Sequence, residues 1–270
     1  MATDAFPTLV TPNTPPFDQL ELAKEAQRHV CRNSDAARKY TSFYVAGVYG
    51  GIATAYALGC SLRCIFCWSV SRDHQIGGRV SFYSPDEVLE ELLGAARRKG
   101  VKRARISGAE PTLCKAHLLK LLPLVEESDF ESFILETNGT MFGLDISYAR
   151  EVAQYEKVHI RVGLKAGSPA GYQRRTGALG VDYKLPFRAV KNLLEVGASF
   201  HVAAMTDVRL MSAEERKLLI QQLAELSPRL AANLEEEVCD RYPSTQRRLE
   251  AAGVDIIDFF VRRKPLDPLP

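Results

Sequence analysis

The chain has 270 residues, 46% of them hydrophobic and 25% charged, with 35 basic against 33 acidic side chains and a formal net charge of +2. That length buries a substantial core in one large domain or two small ones. So even a charge balance argues against nucleic acid as a partner, because nucleic-acid binders gather a basic excess on one face. No apolar run approaches the ~18–20 residues that cross a bilayer, which argues against a membrane protein. The N-terminus, "MATDAFPTLVTPNTPPF", lacks the basic and apolar regions of a signal peptide. The expectation is a cytoplasmic protein whose thiols stay reduced.

In chain order, the first 16 residues are rich in Pro and Thr and predict an extended or mobile arm. From Phe17 to about Lys39 the apolar residues Leu20, Leu22, Ala23 and Ala26 recur among charges as on a helix. "TSFYVAGVYGGIATAYAL" (41–58) is rich in strand formers and runs straight into a group of cysteines. "SPDE" from Ser84 supplies a cap, a first-turn proline and two acids, predicting a helix to Arg98. Strands then follow at 101–107, 131–138, 157–165, 199–205 and 254–263, with helices at 114–127, 145–156, 187–196, 212–226 and 245–252. The chain divides into an N-terminal arm and helix, 1–40, and an α/β domain, 41–270. Alternation of strands and helices implies parallel strands joined by right-handed crossovers.

Strand faces separate the possible architectures, because side chains alternate along a strand. His159, Arg161 and Lys165 share one face, against Ile160, Val162 and Leu164. Arg103, Arg105 and Ser107 oppose Ala104 and Ile106, and His201 opposes Phe200, Val202 and Ala204. A doubly wound sheet covers both faces with helices and its strands read as continuous apolar runs. A closed eight-stranded barrel fills its interior with bulky apolar layers. Neither fits one apolar and one polar face. The pattern predicts a partial (β/α)6 TIM-like barrel with parallel strands and a polar lumen, preceded by the N-terminal helix.

"CSLRCIFC" places Cys60, Cys64 and Cys67 where the first strand ends, the end at which parallel α/β folds gather their chemistry. A structural zinc site takes four closed ligands, and His74 is a candidate fourth, which would make a non-catalytic Cys3His interaction module. An iron–sulfur cube needs one ligand per iron, so three cysteines leave one iron open. Cys31, Cys114 and Cys239 share no ligand spacing and read as buried free thiols, with His117 structural and Trp68 padding the cysteines or merely packing.

The C-x3-C-x2-C spacing, with Phe66 before the last cysteine, resembles the signature of the radical S-adenosylmethionine superfamily. "SGAEPTL" (107–113) resembles its G-G-E-P motif, with Ser107, Gly108 and Glu110 in register and Ala109 replacing a glycine. "ETNG" (136–139) resembles the T-N-G turn of relatives of pyruvate formate-lyase activating enzyme, through Thr137 and Asn138. "GLKAGSPAGYQRRTG" resembles that subgroup's D-x-K segment, with Lys165 matching and Gly163 standing where an aspartate is expected. His201 resembles a histidine that closes over the cofactor in some members. The resemblance implies a [4Fe-4S] cluster on Cys60, Cys64 and Cys67, and S-adenosylmethionine beside Phe66, Ser107, Gly108, Glu110, Thr137, Asn138, Lys165 and His201. It implies reductive cleavage of that cofactor by an electron from a flavodoxin or ferredoxin, and hydrogen abstraction from a substrate. The substrate is a partner protein, as for glycyl-radical activases, or else a small molecule, peptide or RNA that is modified or methylated. If Arg105, Arg161, Lys165 and His201 converge with only Glu136 to pair them, the lumen calls for an anionic substrate group held by Arg105 and Arg161.

Overall fold

The computed structural model describes residues 6–73 and 80–261. Asp18 caps helix α1 (Gln19–Val30) by accepting from the Leu20 and Glu21 amides, and Leu22, Ala23, Ala26 and Val30 form its buried stripe. The helix stops well short of Lys39. After β1 (Cys31–Arg32), the strand β2 (Ala37–Ala46) already begins and crosses the boundary expected at residue 40. The apolar run at 41–58 is two strands, because "GVYGG" turns the chain: Gly50 and Gly51 have φ of +75° and +108°, open only to glycine without strain. Strand β3 (Ile52–Ala57) therefore returns antiparallel to β2, and β4 (Ser81–Tyr83) pairs antiparallel on the other edge of β2.

From β3 onward the expected alternation appears. Helix α2 (Pro85–Lys99) starts in a capping box between Ser84 and Glu87 and ends at Gly100 in the left-handed conformation. It leads to β5 (Arg103–Ser107), α3 (Lys115–Glu127) and β6 (Ser132–Thr137). The helix expected at 145–156 is α5 (Ile146–Ala153), capped by Asp145, and a short helix not expected from the sequence, α4 (Thr140–Leu144), precedes it. Then come β7 (Val158–Leu164), α6 (Pro169–Thr176), α7 (Lys184–Glu195), β8 (Phe200–Met205), α8 (Ala213–Leu226) and α9 (Pro228–Ala232).

The sixth parallel strand is β9 (Glu235–Glu237), not 254–263. Three successive glutamates form a strand because each has a cation on its own side: Glu235 and Glu237 meet Arg161, and Glu236 meets Arg216. After α10 (Pro243–Ala251), the segment read as a strand is the helix α11 (Ile256–Val261) as far as it is described; residues 262–263 lie outside the described residues. Its apolar contacts, Ile256, Phe259 and Phe260, recur at helical spacing.

The sheet order is β1-β2-β3-β5-β6-β7-β8-β9, with β3 to β9 parallel along that path and the front hairpin antiparallel. One face carries Ala55, Ile106, Leu135, Ile160 and Val202 into the main core beneath the helices. The other carries Thr54, Arg105, Glu136, Arg161 and His201. The sheet is an open partial barrel with a polar concave face, as the strand faces predict. The N-terminal arm is not free. Phe6 packs edge-on against Phe17, and Phe17 exchanges backbone hydrogen bonds with Gly177 and Leu179.

Candidate active site

The loops at the C-terminal ends of the parallel strands meet over the open mouth of the sheet. Cys60, Cys64 and Cys67 lie in the loop after β3, all three as free thiols. Burial pushes the Cys60 thiol up to about 12 and the Cys64 thiol to about 11. Among the described residues no group of three His, Cys, Asp or Glu is arranged to hold a metal ion, although these three thiols share one loop. A cube asks something different of them, because each thiolate binds its own iron. His74, the candidate fourth zinc ligand, lies outside the described residues.

The loop is held by arginines. Arg63 donates to the Cys60 carbonyl at 3.0 Å, Arg72 to the Cys64 carbonyl at 2.7 Å, and Arg248 to the Cys67 carbonyl. All three are buried, and the carboxylate that the ion pairs give Arg63 and Arg72 is Asp73. Such a cationic surround fits an anionic group at the cysteines. Phe66 is buried beside them, whereas Trp68 is 44% exposed and stands edge-on to Tyr56.

Glu110 is the hub of the neighbouring loop. Its Oε1 accepts from the Thr112 amide and hydroxyl and from the Thr137 hydroxyl, at 3.1, 2.6 and 2.7 Å. Its Oε2 accepts from the Asn138 amide at 2.8 Å. The glutamate thereby ties the loop after β5 to the turn after β6. Asn138 extends the tie by donating to Ser61 Oγ at 3.2 Å and to Cys60 Sγ at 3.8 Å. Behind this loop the fully buried Arg38 donates to the carbonyls of Leu58, Glu110 and Pro111. Gly108, with φ +87°, brings the backbone to where a Cβ would stand 3.3 Å from the Ala57 carbonyl and the Tyr56 ring.

A Cβ on Gly163 would stand 2.7 Å from Lys165 Nζ. The ammonium thus fills the space in which the expected aspartate side chain would start, so glycine and lysine here form one packing unit. Lys165 also lies near enough to Cys64 to favour its thiolate.

Deeper on the concave face Arg105, Arg161 and His201 each have a carboxylate partner, which removes the premise that only Glu136 pairs them. Arg105 donates to Glu136 at 2.6 Å and to Thr54 at 3.1 Å, and Glu136 also accepts from Ser107 and Tyr49. Arg161 is bound bidentately by Glu235, at 3.0 and 2.8 Å, and by Glu237 at 2.7 Å. Burial works against its charge, but the two glutamates more than offset that and raise its pKa. His201 does not stand at the mouth. It is level with Arg161 in the sheet, below the Leu164–Ala204 pair, and its imidazole lies between His159 at 2.7 Å and Glu235 at 2.8 Å. Glu235 and Glu237 are not legible as site residues in the sequence, because a run of three glutamates has the pattern of solvated surface, and neither are the three buried arginines.

Cys31 and Cys114 are not free thiols but a disulfide, with Cα atoms 5.6 Å apart, joining the end of α1 to the start of α3, so the expectation that the thiols stay reduced fails for this pair. Cys239 is free and buried, as expected. His117 is buried and structural, between the Tyr40 hydroxyl at 2.9 Å and the Ala36 carbonyl at 2.7 Å.

An open parallel α/β half-barrel, with three cysteines in its first loop and a braced carboxylate in its second, has the layout of a protein that carries a metal cluster beside a polar cofactor. Residues 56–223 match the Radical SAM superfamily, and the chain belongs to that superfamily. Its members bind a [4Fe-4S] cluster and S-adenosylmethionine, and this chain is a radical S-adenosylmethionine enzyme. A GTP 3′,8-cyclase of Bradyrhizobium diazoefficiens is 28% identical over 155 residues, 50% of this chain and 43% of that protein. The chain thus spans less than half the length of this curated relative. SuiB of Streptococcus suis, solved bound to S-adenosylmethionine, matches with a TM-score of 0.53 at 17% identity, over 77% of this chain and 46% of that one. HydG, a maturase of the [FeFe]-hydrogenase, matches at 0.55 and 11% identity, over 82% and 48%. Identities that low speak for the shared fold alone. The superfamily is therefore established, and the narrower likeness to pyruvate formate-lyase activating enzyme is not. No helix among the described residues is long and apolar enough to cross a membrane.

Proposed function

We propose that Cys60, Cys64 and Cys67 each ligate one iron of the cluster and leave the fourth iron to S-adenosylmethionine. When bound, the pair supplies a 5′-deoxyadenosyl radical on arrival of one electron, from a cytoplasmic donor of the flavodoxin or ferredoxin type. The chain's own residues bind, orient and shield. Glu110, with the backbone of Ser107 and Gly108, receives the ammonium of the methionyl group, and Lys165 neutralises its carboxylate. Thr137 and Asn138 fix the carboxylate of Glu110, and Phe66 keeps water from the cysteines. The observation that carries this reading is the single hydrogen-bonded cradle running from Glu110 through Asn138 to Cys60.

The hydrogen donor sits deeper, over Arg105, Glu136, Arg161 and His201. Because those charges are mutually paired, the substrate need carry no net charge, and a polar hydrogen-bonding molecule suits the face better than an anion. Of two substrate classes, the backbone of a partner protein, favoured by the "TNG" and "LKAGSPAGYQRRTG" segments, is uncharged and agrees with this face; a small molecule of nucleotide type, favoured by the cyclase relative, is an anion and would have to seat its phosphates away from it.

Anaerobically reconstituted protein should be brown, hold about four irons per chain, and release 5′-deoxyadenosine when reduced with S-adenosylmethionine. Cys64→Ser should abolish all three. Colourless protein holding one tight zinc would refute the reading and restore the Cys3His module. Deuterium passing to 5′-deoxyadenosine from GTP labelled at ribose C3′ supports the nucleotide class, and from a glycine-labelled partner protein the activase class.

A further inference from the structure

We propose that Arg63, Arg72 and Arg248 are the counter-ions of the cluster: their buried positive charge favours the reduced state and makes the cluster easier to reduce. The inference rests on the reading of the three cysteines given above.

The arginines are only 2%, 2% and 6% exposed, and each donates to the carbonyl of a different cysteine. Asp73 lies 3.4 Å from Arg63 and 3.8 Å from Arg72, and its Oδ1 has no hydrogen-bond donor. No ion pair joins Arg248 to a carboxylate among the described residues, where three buried cations therefore share one loosely held anion. A guanidinium does not shed its proton to escape that cost, and an uncompensated buried charge is strongly destabilising. The carbonyls supply dipoles, not charge. A cube held by three thiolates is a net anion and gains a further negative charge on reduction. Bound by the three cysteines whose carbonyls the arginines hold, it would meet the deficit.

Net charge and hydrogen bonding around a cluster are the levers that set its potential. A positive charge beside it favours the reduced state, so removing one makes reduction harder. Two of the three arginines also clamp the N-terminal arm: Arg63 donates to the Pro7 carbonyl at 3.0 Å and Arg72 to the Thr8 carbonyl at 2.5 Å. The third belongs to α10. Neither the arm nor α10 falls within the stretch that matches the superfamily. This chain therefore brings both of its ends to the charge balance of the cysteine loop.

The test compares Arg248→Gln, which removes the charge but retains a donor for the Cys67 carbonyl, with Arg248→Lys, which retains the charge. Whole-chain protein is reconstituted anaerobically, its iron counted, and its cluster titrated potentiometrically with detection by electron paramagnetic resonance. Arg248→Lys should match the wild type, and Arg248→Gln should shift to more negative potential. Iron uptake by Arg248→Lys but not by Arg248→Gln would also support the proposal, since charge is then needed for assembly. Equal potentials in the wild type and Arg248→Gln would overturn it. Loss of iron from both variants would overturn it too, because geometry and not charge would then matter. If Arg248→Gln does not fold, Arg72→Gln goes through the same titration with the same criteria. A wild-type chain that takes up no iron removes the cysteine reading itself, and the inference falls with it.

Discussion

Replacing His117 with Gln should remove much of the chain's acid sensitivity, and the size of the effect follows from the surroundings of the ring. Burial lowers the imidazole from 6.5 to about 4, and the nearby Arg38 adds to the fall. The ring is neutral in the fold, its Nδ1–H donating to the Ala36 carbonyl and its Nε2 accepting from the Tyr40 hydroxyl. Between those two pH values the unfolded chain binds a proton that the folded chain does not. Stability is therefore complete above about pH 6.5 and is lost as pH falls toward about 4. At about 1.4 kcal/mol per unit, the whole shift amounts to roughly 3 kcal/mol, of which about 2.5 develops between about pH 7.5 and pH 4.5.

Glutamine reaches the same two partners with its amide but does not titrate. Urea unfolding at those two pH values should show the wild type losing about 2–3 kcal/mol more than His117→Gln, because other titrating groups cancel in the comparison. Parallel losses in the two proteins would refute the reasoning and mean that the ring is solvated or already charged in the fold.

Glu110→Gln replaces a carboxylate that accepts four hydrogen bonds with an amide that sets a donor against a donor. With charge-assisted bonds worth about 1.5–3 kcal/mol, 5′-deoxyadenosine formation should fall about tenfold or more while the iron content holds; loss of iron as well would place Glu110 in cluster assembly. The Cys31–Cys114 bond closes a span of 83 residues. In the chain-entropy account its reduction, or Cys31→Ser, should cost about 4–5 kcal/mol, read as a fall in unfolding midpoint with dithiothreitol; an unchanged midpoint would mean that the pair is not bonded in solution. Arg161→Gln strips Glu235 and Glu237 of their cation, and partial exposure limits the cost to about 1–2 kcal/mol. Uncoupled 5′-deoxyadenosine formation should therefore survive in a less stable protein, whereas selective loss of substrate turnover at full stability would revive the anionic-substrate reading.

The parallel part of the sheet is legible in the sequence because an alternating strand declares both of its faces. Ile160, Val162 and Leu164 go to the core, and Arg161 goes to the lumen. The capping box at Ser84 is equally local, and so is the cysteine loop. What is not legible depends on partners far along the chain. "GVYGG" turns one apparent strand into a hairpin, and the turn residues are visible, but only pairing shows that β2 runs against the rest. "EEE" is a strand because Arg161 and Arg216, on different elements, wait on its two faces. "VDIIDFF" has the composition of a strand and the spacing of a helix, and Asp255 beneath it accepts from the Ile257 amide and so favours the helix. The pairing of Cys31 with Cys114 carries no local signal at all.

The two basic regions of this site end with opposite charge balances. On the concave face the sequence offers only Glu136 to pair Arg105 and Arg161, because Glu235 and Glu237 come from a strand it does not reveal; once the sheet forms, the deficit is gone and no anionic ligand is required. At the cysteine loop, Arg63 and Arg72 sit beside Asp73 and look self-sufficient, yet folding adds Arg248 from α10 without adding a carboxylate among the described residues. The fold therefore moves the demand for a bound anion away from the substrate face and onto the cysteines. A cluster there meets that demand on assembly and meets it more fully on reduction, so the charge that steadies the fold and the electron that starts the chemistry draw on the same three side chains.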